Sequence, residues 1–299
     1  MSTISVIIPS FNQGRYIERT IVSVLSQQDV TLELVVVDGG SSDETLDILT
    51  RYESGLRWIS EKDSGQADAV NKGILSSHGD IIGWLNSDDI YCPDALSRVC
   101  GFFERHADVD VLYGDAWIMD ADDHITGKYA TEAWDVGRLC DICYLCQPAV
   151  FFRRSAIERY GLLDEKLIYC MDYEFWLRLA LAGCRFACLP QVLAGSRTHP
   201  ETKTVARRIA AHQEMLTMLK QKLGRAPDRW VAGYARVMAE EKGLGPDHNP
   251  LGFVGMVLFV SVKTAMRFNR AVSWGLVRIT VRWLMTGMRL MYYNGTARK

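Results

Sequence analysis

The chain has 299 residues, 48% hydrophobic and 23% charged, with a formal net charge of −2. That is an ordinary globular composition and excludes a disordered, collagen-like or low-complexity chain. The near-neutral total hides an asymmetry: residues 251–299 hold Lys263, Arg267, Arg270, Arg278, Arg282, Arg289, Arg298 and Lys299 and no acid, so this stretch carries +8 and the preceding residues −10.

In chain order, residues 4–8 form a β-branched run closed by Pro9-Ser10, which predicts a first strand. Ile17, Ile21, Val24 and Leu25 recur at helical spacing. Residues 32–37 predict a second strand, ended by Asp38-Gly39-Gly40-Ser41-Ser42-Asp43 and followed by a helix carrying Leu46, Ile48 and Leu49. Residues 56–60 read as a short strand, 67–75 as a helix, and 81–85 as a buried strand that stops at Asn86-Ser87-Asp88-Asp89. Strands alternating with helices predict βαβ units, an α/β fold and a mostly parallel sheet.

Beyond this point the alternation loosens. Residues 109–113, 116–119, 125–129 and 149–152 read as short strands, with turns at Gly114-Asp115 and 120–123. A helix is predicted over 172–181, late strands over 186–189 and 192–195, and a helical stretch over 204–238 interrupted at 224–227. Residues 243–250, with Gly245-Pro246 and Asn249-Pro250, read as a linker. The expected division is a domain over 1–200, a helical extension over 201–243 and a basic tail over 251–299.

Three chemical features stand out. Adjacent carboxylates at Asp88 and Asp89 repel each other unless a cation joins them. A hard divalent ion with a phosphate on its far side answers that repulsion; a helix start before Pro93 is the plain alternative. Asp38 closes another strand, either as an acceptor for a base N–H or ribose hydroxyl, or as a turn residue before Gly-Gly. Neither a G-x-G-x-x-G nor a Walker A sequence follows any strand, so the usual phosphate cradles are missing. Cys140, Cys143 and Cys146 form a C-x2-C-x2-C run without a matching fourth ligand, which reads as structural thiols rather than a metal site. The eight cysteines fit a reducing compartment, and the N-terminus has no signal-peptide pattern, so the body is expected in the cytoplasm.

Four ordered segments carry a resemblance: Ser5 to Asn12 (SVIIPSFN), Glu33 to Asp43 (ELVVVDGGSSD), Gly65 to Gly73 (GQADAVNKG) and Asn86 to Asp89 (NSDD). Together, over roughly residues 3–200, they resemble family 2 glycosyltransferases of GT-A fold, with a Rossmann-like, mostly parallel central sheet. The resemblance implies that the N-terminal half binds a nucleotide-diphosphate sugar. Pro9 and Phe11 would lie near the nucleotide, Asp38 at the base, and Asp63 and Gln66 at further nucleotide contacts. Asn71 falls on a matching segment, as a donor contact or as a brace for its helix.

The Ser-Asp-Asp match implies a divalent metal, Mn2+ or Mg2+. Asp89 would be the direct ligand, and Asp88 would face sugar or ribose. Asp172 matches the general base of an inverting transfer, with Glu174 in reserve; Met171 replaces the usual acidic neighbour, and Asp172 also suits a helix cap. Arg197-Thr198-His199 resembles a late Arg-x-His element, which makes His199 a metal or phosphate ligand or a packing residue. Gln147-Pro148 matches a position beside the acceptor.

The tail lies outside the resemblance. Residues 251–262 are a twelve-residue uncharged run, short of the ~20 residues a span needs. Continued as one ideal helix, the cations from Lys263 to Arg289 fall within an arc of about 120°, opposite Phe268, Val272, Leu276, Ile279, Trp283 and Leu290. That pattern predicts a helix lying on an anionic membrane, or one packed on the protein's own body. The expectation is an inverting glycosyltransferase, peripheral on the inner face of the cell membrane, with a carbohydrate or lipid-linked acceptor in surface polysaccharide assembly and no nucleic acid partner. A nucleotidyltransferase and a catalytically silent nucleotide-sugar-binding or scaffolding protein are the alternatives.

Overall fold

The computed structural model describes residues 2–200 and 202–282. These divide into two compact units, one from residues 2–136 and 144–202, the other from 137–143 and the described residues beyond 202.

The first unit opens with β1 (Thr3–Ser10), α1 (Gly14–Leu25), β2 (Thr31–Asp38), α2 (Thr45–Arg51), β3 (Arg57–Ser60), α3 (Gln66–Ser76) and β4 (Ile81–Trp84). It continues through β5 (Ile90–Tyr91), α4 (Ala95–Arg105), β6 (Val111–Met119), β7 (Ile125–Lys128) and α5 (Val136–Asp141), whose last residues belong to the second unit. A 3-10 turn at Gln147–Ala149 leads into β8 (Val150–Arg153), α6 (Arg154–Tyr160), α7 (Met171–Leu181) and β9 (Phe186–Arg197). The sheet order is β3-β2-β1-β4-β8-β6-β9-β5, with β7 on β6. β3, β2, β1 and β4 run parallel; β8 lies antiparallel between β4 and β6, and β6 and β9 are again parallel.

The parallel half follows from its sequence. Ile4, Val6 and Ile8 of β1, Leu34 and Val36 of β2 and Ile81 of β4 sit in one core with Ile17, Ile21 and Val24 of α1. Strands covered on both faces need continuous rather than alternating apolar runs. α3 presses on β1 at Gly73, where a Cβ would lie 2.2 Å from Ile7 Cγ2. The order reverses at β1: the chain runs outward through β2 and β3, then returns through α3 to place β4 on the other side of β1. In open α/β sheets the ligand crevice lies beyond the carboxyl ends at such a point. Ser10 pairs with Asp38 and Asp38 with Ser60, so three of those ends are level.

Past β4 the strands are longer than the sequence indicates. The stretches 109–113 and 116–119 merge into β6, and the two late stretches merge into β9. Gly114-Asp115 is not a turn. The register against β9 shifts there, with Gly114 opposite Leu189 and Asp115 opposite Val192. Pro190 and Gln191 are thus accommodated as an irregularity, as expected for a proline within a sheet. Gly114 is needed because a Cβ would meet Leu193 Cδ1 at 2.5 Å.

The second unit holds α8 (Lys203–Ala206), α9 (Arg208–Leu223), α10 (Asp228–Glu240) and α11 (Pro250–Asn269). α11 extends through Asn269, seven residues past the uncharged run, and by length and composition alone is sufficient to cross a membrane. It is packed, however: Phe253, Val257 and Val260 join Ala235 and Ala239 of α10. The single continuous tail helix expected from sequence does not form. Arg270 takes a left-handed conformation (φ 58°), and Ser273 restarts the chain as a cap, its Oγ accepting from the Leu276 N–H. Leu276 joins a core with Leu216, Val231 and Ala265, with Phe268 and Ile279 against it, so part of the predicted lipid-facing stripe covers the unit's own interior. Trp283, Arg289, Leu290, Arg298 and Lys299 lie outside the described residues.

Glu33 stitches β2 to its neighbours. It accepts from Ser5 Oγ (2.6 Å) and the His78 N–H (2.7 Å) and pairs with Arg57. Burial would raise its pKa, but the His78 N–H, the Ser5 hydroxyl, the His78 ring and Arg57 together lower it from 4.5 to about 2. A depressed folded-state pKa stabilises above the unfolded value and loses that contribution as pH falls through the folded one. Glu33→Gln should therefore cost about 2 kcal/mol at neutral pH, read from urea unfolding midpoints. The gap to wild type should close between pH 4.5 and about 2; a gap independent of pH would contradict this role.

Candidate functional site at the carboxyl ends of the parallel strands

The chain leaves β1 through Phe11, whose ring is 59% exposed, and Asn12 in a left-handed turn (φ 52°). Asn12 clamps the next loop: its N–H donates to Ser41 Oγ (2.7 Å) and its Oδ1 accepts from the Ser42 N–H (2.9 Å). Pro9 is buried within β1.

The strand-end acids divide into two kinds. Asp38 is fully buried, and its carboxylate accepts from the N–H groups of Gly40 (3.0 Å) and Ser41 (2.8 Å), from Ser60 Oγ (2.7 Å) and from Ser41 Oγ. These four donors tie it to its own loop and to β3. Asp63 is only partly buried. One oxygen accepts from the Gly65 N–H (3.0 Å), and the other lies 2.7 Å from where a Cβ on Gly39 would be. The missing side chain at Gly39 makes room for the Asp63 carboxylate above the end of β2.

Asp88 and Asp89 sit in the turn between β4 and β5 rather than at a helix start; α4 begins only at Ala95. Asp89 turns inward and is 3% exposed, with its Oδ1 accepting from the Arg197 N–H (2.8 Å). Burial first, then the Asp88 charge, push its carboxyl well above the usual range, against the Arg197 N–H and guanidinium, which lower it. Asp88 faces outward instead, with its Oδ2 3.1 Å from His199 Nε2. Asp89 is thus turned into the fold, and Asp88 presents its carboxylate beside an imidazole.

The last residues of β9 make this arrangement. The Arg197 side chain is buried; its guanidinium donates to the Asp88 carbonyl and pairs with Asp123, which also pairs with Arg19 (2.6 Å). The Tyr16 ring lies under Arg197 (5.1 Å) and stacks on His199 (4.8 Å). Thr20 Oγ1 meets the carbonyls of Ser87 (2.9 Å) and Asp89 (2.7 Å). Asn86 Oδ1 accepts from Trp84 Nε1 (3.0 Å) and from Gln66 Nε2 (2.6 Å), which ties α3 to the turn.

Sequence reasoning missed Tyr16, Thr20 and Asp123. The first two leave a signal: Tyr16, Thr20 and Ser23 recur on one face of α1 among apolar positions, the spacing of residues that meet a common neighbour. Asp123 reads only as a turn residue.

Other expected residues brace rather than face the crevice. Asn71 is 3% exposed, donating to the Leu163 carbonyl and Glu165 and accepting from the Leu163 N–H, all at 3.0 Å. It pins the 163–165 segment to α3. Gln147 donates to the Trp84 carbonyl (2.6 Å), and Glu174 is buried against Arg178 (3.0 Å). Asp172 lies in the first turn of α7, half-buried, and its Oδ1 accepts from the Tyr173 N–H (2.7 Å).

Among the described residues no cluster of three or more His, Cys, Asp or Glu is placed to hold a metal. Asp88 and His199 supply one oxygen and one nitrogen donor. Two donors leave most positions around a divalent ion to be filled from elsewhere. Asp89→Ala should lower the melting stability of the ligand-free protein by about 1–3 kcal/mol, because the Arg197 N–H is left buried and unsatisfied. Asp88→Ala should stay within about 1 kcal/mol of wild type, and the reverse order would refute the division between the two.

Comparison with known proteins agrees with this fold. Residues 5–161 match the family model described as glycosyl transferase family 2. An uncharacterized glycosyltransferase of Rickettsia prowazekii is 27% identical, covering 74% of this chain and 72% of its own. A PGL/p-HBAD biosynthesis glycosyltransferase of Mycobacterium bovis is 34% identical over 58% of this chain and 68% of its own. Among solved structures, S. aureus TarS in complex with UDP-GlcNAc superposes with a TM-score of 0.65 at 16% identity, covering 98% of this chain and 92% of that one. The mannosyltransferase PcManGT from Pyrobaculum calidifontis, in complex with GDP-Man and Mn2+, gives 0.60 at 18%, covering 96% and 84%. These likenesses show the GT-A fold, and the family match over more than half of the chain shows that this protein is a glycosyltransferase of family 2.

Proposed function

We propose that the chain moves a sugar from a nucleoside-diphosphate donor to an acceptor hydroxyl in one displacement, with inversion at the anomeric carbon. The observation that carries the reading is the Asp88–His199 pair beyond β4, beside the strand order reversal where α/β sheets bind nucleotides. A divalent ion held by Asp88 and His199 would neutralise charge on the departing diphosphate. Arg197 is a positioning residue, since its guanidinium is already committed to Asp123 and the Asp88 carbonyl.

The exposed Phe11 ring offers a face for the base, and Asp63 an acceptor for a ring N–H, which suits uracil or guanine better than adenine. Asp172 is the general base. The acceptor oxygen bonds to the anomeric carbon as its proton passes to Asp172, and the nucleoside diphosphate leaves with the electrons of the broken bond. The donor class draws support from TarS and PcManGT, solved with UDP-GlcNAc and GDP-Man. We propose a lipid-linked acceptor in surface polysaccharide assembly and a cytoplasmic location at the inner membrane face. The acid-free basic stretch beyond residue 250 supports both, as does a relative named for PGL/p-HBAD biosynthesis.

Asp172→Asn should bind donor normally, by nucleotide-dependent thermal shift, and lose about 10²–10⁴-fold in transfer rate; near-normal turnover would remove Asp172 as the base. Asp63→Asn should weaken UDP or GDP binding by about tenfold or more at unchanged ligand-free stability. Unaltered affinity for both nucleotides would remove Asp63 from the base site.

A further inference from the structure

α11 buries one face and leaves another apolar face exposed among the described residues. Leu251 is 81% exposed, Phe259 63%, Met266 52%, Val262 46% and Leu258 38%. On a helix at about 100° per residue these five fall in one stripe about 100° wide. Lys263 and Arg267 lie along one edge of it, both exposed, and exposed Arg270 closes its C-terminal end. No acid occurs between Pro250 and Arg282, and Trp274, just past the helix break, is 82% exposed. This stripe is not the one sequence periodicity selects, because Phe268, Leu276 and Ile279 are taken into the unit's own core.

We propose that α11 lies in the plane of an anionic bilayer surface. Leu251, Leu258, Phe259, Val262 and Met266 enter the acyl region, Lys263, Arg267 and Arg270 meet lipid phosphates, and Trp274 sits at headgroup level. An apolar face edged by cations and carrying aromatics is the pattern of an interfacial helix. Two competing occupants fit less well. A transmembrane course would strip Phe253, Val257 and Val260 from α10 and break both bonds of the Asn269 side chain to the Ala226 backbone (2.8 Å each). A two-fold contact between copies, with the stripes facing antiparallel, would confine Lys263 and Arg267 of both copies to one acid-free interface. Anionic lipid answers the charge as well as the apolar area. The inference is independent of the sugar-transfer chemistry.

The test is cosedimentation of the full chain with vesicles of phosphatidylcholine, alone or mixed with phosphatidylglycerol. Binding is expected to the mixed vesicles only and to weaken with salt. Leu258→Glu/Phe259→Glu alters exposed side chains and should weaken it at least tenfold at unchanged melting temperature. Lys263→Glu/Arg267→Glu should abolish the preference for phosphatidylglycerol. Binding unaffected by the Leu258/Phe259 variant would overturn the assignment. So would a protein that ignores vesicles and self-associates through these residues in sedimentation velocity, or one released only by detergent.

Discussion

The N–H and guanidinium of Arg197 hold the end of β9 against the turn that follows β4. The N–H reaches the Asp89 carboxylate, and the guanidinium reaches the Asp88 carbonyl and Asp123. Two residues on, His199 is thereby brought to Asp88, 111 positions away in sequence. A buried arginine is tolerated only when its charge and donors are met, and removing a partner leaves an uncompensated charge. The network is therefore a constraint on geometry more than a source of net stability. Tyr16, packed under the guanidinium and stacked on the imidazole, joins α1 to the same arrangement.

The acids of the first unit fall into two groups by burial. One group is buried and hydrogen-bonded within the fold: Asp38 in its own loop, Asp89 to the Arg197 N–H, Glu174 against Arg178. Those proposed to meet ligands are partly open: Asp63 over Gly39, Asp88 beside His199, Asp172 at the head of α7. The proposed chemistry needs both kinds. Fixed carboxylates set the positions, and open ones change partners when donor and acceptor arrive.

The parallel half was legible because doubly covered strands must be continuous apolar runs, and β1, β2 and β4 are. The family followed from four motifs along those strands and their loops. Beyond β4 the reading weakened for a physical reason: Gly114 and Pro190 look like breaks but serve a close approach and a register shift inside β6 and β9. Which of two adjacent aspartates faces outward depends on the strand after them. Tyr91 is buried and Ile90 only partly so, and period-two alternation carried back from β5 turns Asp89 inward. Composition suggested membrane contact, but the residues facing outward were set by the break at Arg270, which no local pattern announces.

The central claim is that Asp88 and His199, not Asp89, hold the ion at the donor diphosphate. Its most direct test is Mn2+ affinity in the presence of UDP or GDP, read from the electron paramagnetic resonance signal of free Mn2+. Asp88→Asn and His199→Gln should each weaken binding at least tenfold, while Asp89→Asn, which keeps an acceptor for the Arg197 N–H, should retain it. Loss of Mn2+ binding in Asp89→Asn with retention in the other two would contradict the account.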